Sequence, residues 1–331
     1  MINKQRIAIT GANGYVGKEL LKELDNLNYS VSLLYRTRNK SSIENEKKHS
    51  VIYGDLSSKK SLSKLLKNRT VLINLAGEYL VENLMMDTNY EGVKNLFEVA
   101  ENSTITTFIH LSSVGVYGRP KKGIVSEESK IIGINHYEES KIYSEKALFD
   151  KANKNIKTII LRPSNIFGPH MKNQSLKDMC HSIHKGRFIF IGKKGASANY
   201  LYIDNLLKSI IKVIEKPNKN SENIETFNLN QNITMEKLVS AILQNNQNNK
   251  SFFRLPYLFV YFLAYIADVF SNISKIELPL TRSRVDALSS HANFIQGKFD
   301  HYYGYSHESS MEEGIKECLD LWQIAIEENP K

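Results

Sequence analysis

A glycine-rich turn wedged between the first strand pattern and the first helix pattern constrains this chain most. Arg6 to Thr10 is a short apolar run, Thr10-Gly11-Ala12-Asn13-Gly14-Tyr15-Val16-Gly17 follows at once, and Val16, Leu20, Leu21, Leu24 and Leu27 then recur at helical spacing. A backbone that turns so tightly needs residues that reach φ > 0 without a Cβ penalty. The same lack of a Cβ lets amide groups close on a phosphate at the positive end of a helix. Gly11, Gly14 and Gly17, with Asn13, Tyr15 and Val16 between them, are therefore the expected cradle for the pyrophosphate of a dinucleotide.

Downstream, short β-branched runs alternate with helical patterns, the form of a parallel sheet covered on both faces. Strands are expected at Arg6–Thr10, Val31–Tyr35, Val51–Tyr53, Val71–Leu75, Phe108–Ser112 and Thr158–Arg162. The fold class is thus α/β, a Rossmann doubly wound parallel sheet with a smaller C-terminal α/β substrate domain. Residues 1–165 with about 200–230 form the nucleotide-binding part, and 166–199 with 231–331 the substrate part. Loops are expected at 217–223 and 243–251, which are dense in Asn, Lys and Ser. Ser310-Met311-Glu312-Glu313 reads as a capping box that starts a last helix bearing Met311, Ile315, Leu319 and Trp322 on one face.

With 331 residues, 41% of them hydrophobic, the chain can bury a large core, which excludes disorder. Its charge of +9 is scattered, and no nucleic-acid motif accompanies it, so a solvated surface is the reading and no nucleic-acid partner is expected. Two cysteines, Cys180 and Cys318, leave no disulfide framework and no cysteine zinc site, and a polar Met1–Gln5 carries no secretory pattern, so the cytoplasm is the expected compartment. His181 and His184 share a helical face, but no carboxylate joins them locally at a recognised metal-ligand spacing, so no metal is expected. The apolar stretch Leu255–Ala267 is too short to span a bilayer and reads as a substrate-domain helix packed on its neighbours rather than a membrane-surface anchor.

Folds of this kind that hold NAD place an acidic residue at the end of the second strand, on the ribose 2′-hydroxyl; here that position reads Tyr35-Arg36-Thr37-Arg38. Arg36 and Arg38 suit a 2′-phosphate instead, so NADP is favoured over NAD. Asp55 is a candidate for the adenine amino group. Leu56, Leu75, Ala76 and Gly77, at the ends of the third and fourth strands, complete the expected cofactor contacts.

Tyr137 and Lys141 lie four apart at the start of a helical pattern and so project from one face, while Ser113 follows the fifth strand's carboxyl end. An unperturbed phenol titrates near ~10, so proton transfer at pH 7 asks for about 4 kcal/mol of phenolate stabilisation. An ammonium about 5 Å away contributes roughly 3 kcal/mol at an effective dielectric of ~20, and an oxidised nicotinamide adds positive charge. Tyr137 as acid/base, Lys141 as its electrostatic partner and Ser113 as the group orienting a substrate oxygen form the expected catalytic set.

These segments, in this order, resemble the extended short-chain dehydrogenase/reductase family, which includes nucleotide-sugar epimerases and dehydratases. The resemblance continues through Asn89-Tyr90-Glu91-Gly92, Leu161-Arg162-Pro163-Ser164-Asn165-Ile166-Phe167-Gly168-Pro169 and Tyr200-Leu201-Tyr202-Ile203-Asp204-Asn205, nearly the whole chain. It implies an NAD(P)-dependent enzyme with Ser113, Tyr137 and Lys141 catalytic, Asn165 contacting substrate at the hinge, a homodimer, and a role in polysaccharide synthesis.

Two departures matter. Val114-Gly115 follows Ser113 where dehydratases of the family carry an Asp-Glu pair, which disfavours dehydration. Ala198-Asn199 stands where many epimerases have a diphosphate-binding arginine, leaving Arg187, Lys193, Arg282 or Arg284 as substitutes. A nucleotide-sugar 4-ketoreductase or 4-epimerase is the leading expectation. A hydroxysteroid- or flavonoid-type reductase of a lipophilic carbonyl, and a non-catalytic cofactor-binding subunit, are its rivals.

Overall fold

A computed structural model describes residues 5–151, 155–216, 222–243, 252–274, 278 and 280–324. Seven parallel strands form the central sheet: β1 (Arg6–Thr10), β2 (Ser30–Tyr35), β3 (Ser50–Tyr53), β4 (Val71–Asn74), β5 (Thr107–Leu111), β6 (Lys157–Pro163) and β7 (Ile224–Leu229). Their spatial order is β3-β2-β1-β4-β5-β6-β7. The chain runs outward from β1 in one direction and then from β4 in the other, which opens a crevice at the carboxyl ends of those two strands. Helices cover both faces, so a central strand has no wet side; Ile7, Ala8, Ile9 and Thr10 are all fully buried.

The first helix, Tyr15–Asn26, buries Gly17, Leu20, Leu21 and Leu24 as the spacing requires. Leu27, the last member of the expected stripe, is instead its exposed C-cap, because the helix stops there. The final helix, Met311–Trp322, starts with the expected Ser310/Glu313 capping box. Beyond β6, a three-stranded sheet of Asn165–Phe167, Ser197–Tyr202 and Gln231–Thr234 starts the smaller part, and one apolar cluster runs without a break from Ile7 and Leu33 to Ile315 and Leu319. The loop candidates 217–223 and 243–251 lie almost wholly outside the described residues.

The apolar segment forms the helix Tyr257–Ser274, but only one side of it packs. Val260 and Ala264 are buried with Ile191 and Val285, whereas its other side is open. Among the described residues no helix is long and apolar enough to cross a membrane.

Candidate active site

Gly11 adopts φ +75°, and a Cβ there would fall 2.5 Å from the backbone of Leu75 and Ala76. At Gly17 a Cβ would fall 2.3 Å from the Gly11 carbonyl oxygen, and the Gly14 amide donates to that same oxygen at 2.9 Å. The turn is thus pressed between the first helix and the end of β4, and Gly14 caps the helix without a side chain over its first amides. These features fit a dinucleotide: open amides at a helix start, and bare backbone where a pyrophosphate must come close. We predict that Gly11→Ala, strained in φ as well as space, lowers cofactor affinity by at least about tenfold, read by fluorescence titration with NADPH; near-normal affinity would refute the cradle.

Not every expected contact faces the cradle. The Tyr15 phenol is buried beside Gly168, whose Cβ would fall 2.2 Å from its oxygen, so its side chain serves the join between the two parts, and burial raises its pKa. Val16 is half-buried beside it, and Asn13 is exposed on the turn. Leu56 is buried against Gly92, and its carbonyl accepts from Asn95 Nδ2 at 3.2 Å. Asp55 Oδ1 accepts from the Ser57 amide at 2.9 Å and the Ser57 hydroxyl at 2.6 Å, which with nearby Arg36 holds its carboxyl below the usual range. Arg38 pairs with Glu46 at 3.1 Å. Arg36 makes no ion pair among the described residues, and its charge acts on both Asp55 and Glu78.

Ser113, Tyr137 and Lys141 converge. Tyr137 and Lys141 lie on the helix His136–Asp150, whose N-cap Asn135 accepts from the Glu138 amide. The Lys141 Nζ lies 6.0 Å from the centre of the Tyr137 ring, donates to the Leu111 carbonyl at 2.9 Å, and would sit 3.4 Å from a Cβ on Gly77. Ser113 acts on the Tyr137 phenol as a hydrogen-bonding neighbour, and its Oγ accepts from the Gly115 amide at 3.0 Å. The phenol of Tyr137, the ammonium of Lys141 and the hydroxyl of Ser113 thus come together at the end of β5, beside the Gly77 backbone.

The electrostatics differ from the sequence expectation. Burial pushes the Tyr137 phenol up to about 12, against a smaller downward pull from Ser113, and burial pulls Lys141 down to about 8. Lys141 is still mainly protonated at pH 7, but desolvation of the phenol outweighs it.

Three contributors escaped the sequence reading. Asn89 Nδ2 donates to the Glu78 carbonyl and to Ser140 Oγ, both at 2.8 Å, and its Oδ1 accepts from the Glu78 amide, tying the β4 loop to the Tyr137 helix. His110, fully buried, joins Asn74 at 3.0 Å and Ser144 at 3.2 Å, and burial drives its pKa well down. Glu145 is buried in an ion pair with Arg162, whose guanidinium also donates to Tyr117 Oη at 2.6 Å. The segments Asn89-Tyr90-Glu91-Gly92 and Leu161-Arg162-Pro163 were the visible signals among these.

The proposed substrate contacts do not gather. Asn165 is exposed and donates to the Asn199 carbonyl at 3.2 Å. Arg187 is exposed just after the helix Ser175–His184. Arg282 Nε is committed to Asp268 at 2.6 Å, and Arg284 lies exposed two residues further along the helix Arg282–Ser289. His136 turns away from its neighbour to Glu82, 2.9 Å off.

A model of the NAD dependent epimerase/dehydratase family matches residues 7–230. The chain belongs to this family. A sterol-4-α-carboxylate 3-dehydrogenase (decarboxylating) of Candida albicans is 25% identical over 96% of this chain and 97% of its own length. A UDP-glucose 4-epimerase of Pisum sativum is 28% identical over 51% of this chain and 54% of its own. Among solved structures, UDP-glucuronic acid 4-epimerase from Bacillus cereus in complex with NAD superposes with TM-score 0.72 at 19% identity, covering 96% of this chain and 99% of that one, a likeness of fold. The chain is accordingly an NAD(P)-dependent enzyme of the extended short-chain type.

Proposed function

We propose that this family member interconverts a secondary alcohol and a ketone on a lipophilic substrate, with Tyr137 as acid/base. The observation that carries the reading is the apolar mouth of the site. Tyr79, whose phenol acts on Tyr137, is 58% exposed and Leu80 76%, and Ile131, Ile132 and Ile134, just before the Tyr137 helix, are exposed as well. The Glu82–His136 contact joins these two edges. An apolar rim left in water suits a ligand that covers it, not a charged diphosphate. Ala198 is buried and the Asn199 amide donates to the Ala292 carbonyl at 2.9 Å, so neither supplies a cation. The full-length relation to a sterol dehydrogenase, against half-length relation to a sugar-nucleotide epimerase, supports the same choice.

NAD(P), when bound, supplies or receives the hydride. In the oxidising direction Tyr137 takes the hydroxyl proton as the carbinol C–H is lost, and in the reducing direction it returns that proton to the carbonyl oxygen. Ser113 orients that oxygen, and Lys141, fixed by the Leu111 carbonyl, favours the phenolate. Arg36, beside the crevice and in no ion pair among the described residues, supports NADP as the preferred form.

The second reading, a nucleotide-sugar 4-ketoreductase or 4-epimerase, is favoured by the pea epimerase relation. Initial rates with NADP and NAD on hydroxysteroids, flavonoid ketones and UDP- and GDP-sugars separate the two. We expect turnover on lipophilic alcohols or ketones, faster with NADP; turnover confined to nucleotide sugars would replace this reading with the second.

A further inference from the structure

The helix Tyr257–Ser274 holds a single charged residue, Asp268, and that charge is matched by the Arg282 guanidinium, which also lies 5.3 Å from the Tyr265 ring. Its inner side, Val260 and Ala264, is buried. On the outer side Leu258, Phe259, Phe262, Ile266, Phe270 and Ile273 recur at three- and four-residue spacing, and all are exposed, Leu258 by 77%, Phe262 by 60% and Ile273 by 79%. They form a continuous apolar stripe along the whole helix, facing water. A monomer rarely leaves so large a patch uncovered unless something binds there.

The charges around the stripe decide what that is. At the helix start, Lys121 Nζ lies 5.6 Å from the Tyr257 ring and 3.5 Å from its hydroxyl. Exposed Lys193 and Lys194 follow Gly192, on which a Cβ would lie 3.5 Å from Tyr257 Cβ, and they form no ion pair among the described residues. Arg282 lies along the middle of the helix, beside Tyr265 and Asp268, and Arg284 is exposed on the neighbouring helix Arg282–Ser289. Among the described residues, the carboxylates in contact with these elements are engaged: Asp268 by Arg282, Asp286 by the Tyr257 hydroxyl at 2.8 Å, and Glu236 by Arg254 at 2.6 Å. A second copy laid parallel sets the lysines at the helix start against their equivalents, whereas an anionic surface complements them.

We propose that this face docks the protein on a bilayer surface containing anionic lipid. The helix lies in the plane of the interface, its outer side chains among the acyl chains and the lysines at its start, Lys121, Lys193 and Lys194, at the headgroups. The inference stands apart from the lipophilic-substrate reading, since it concerns a different surface and needs no turnover.

Co-sedimentation of the full chain with phosphatidylcholine vesicles, with and without phosphatidylglycerol, tests it. The bound fraction should rise at least about tenfold with phosphatidylglycerol and fall as salt is added. Leu258→Glu/Phe262→Glu, at exposed positions, should abolish binding without changing the melting temperature or the affinity for NADPH, and Lys193→Glu/Lys194→Glu should weaken binding only to the anionic vesicles. Wild-type protein left in the supernatant with both vesicles would overturn the proposal. So would a dimer that Leu258→Glu/Phe262→Glu converts to monomer while vesicles bind neither form.

Discussion

Tyr137→Phe is expected to lower turnover by about 10³-fold or more while the affinity for NADPH stays within about twofold. The substitution removes one oxygen and keeps the ring, so packing between Ser113 and Lys141 survives. What disappears is the phenol proposed to exchange a proton with the substrate oxygen. Because burial holds the free phenol near 12, the wild-type rate of alcohol oxidation should also climb with pH, while ketone reduction, which needs the protonated phenol, should not. Steady-state rates in both directions, with cofactor titration of the variant, provide the check. A variant that keeps more than a tenth of the wild-type rate would show that another group moves the proton.

Arg162→Ala should cost about 3–5 kcal/mol of stability, the largest folding effect expected from a single change in this chain. Arg162 and Glu145 are each almost wholly buried, and removing the guanidinium strands a carboxylate that also accepts from Ser112. Replacing both partners, Arg162→Met with Glu145→Leu, leaves no buried charge and should recover at least half of the loss. Activity should not recover with it. Glu145 is on the same helix face as Lys141 and Tyr137, so the ion pair sets how that helix meets β5 and β6. Urea midpoints for the three proteins measure the first effect and turnover the second; a single variant as stable as wild type would show that the pair holds nothing in place.

The helix that carries Tyr137 shows why part of the site was hidden in the sequence. Besides Ala147 and Leu148, it buries Glu138, Ser140, Lys141, Ser144 and Glu145, which no hydrophobic periodicity can reveal. Most of these polar groups are tolerated inside because a distant segment satisfies them: Asn89 meets Ser140, the Leu111 carbonyl meets Lys141, His110 meets Ser144 and Arg162 meets Glu145. Partners 34 and 51 residues away, as for His110 and Asn89, are not a property of any local window. The segment Leu255–Ala267 shows a second gap: it packs on its neighbours as expected, but only along one side, where Val260 and Ala264 are buried with Leu255, Tyr257 and Tyr261 against them, because hydrophobicity marks surface that water disfavours without saying which neighbour covers it.

What the amino-acid order determined alone was local: strand after strand of β-branched residues, a turn that only glycine can make, and a phenol and an ammonium one helical turn apart. Those follow from sterics and from 3.6-residue geometry, which act between near neighbours. Tertiary structure alone decided that Arg38 is taken by Glu46 while Arg36 makes no ion pair among the described residues, and that burial, not the ammonium, sets the phenol of Tyr137. Desolvation and ion pairing depend on which distant atoms exclude water from a group, and only the folded chain contains that information.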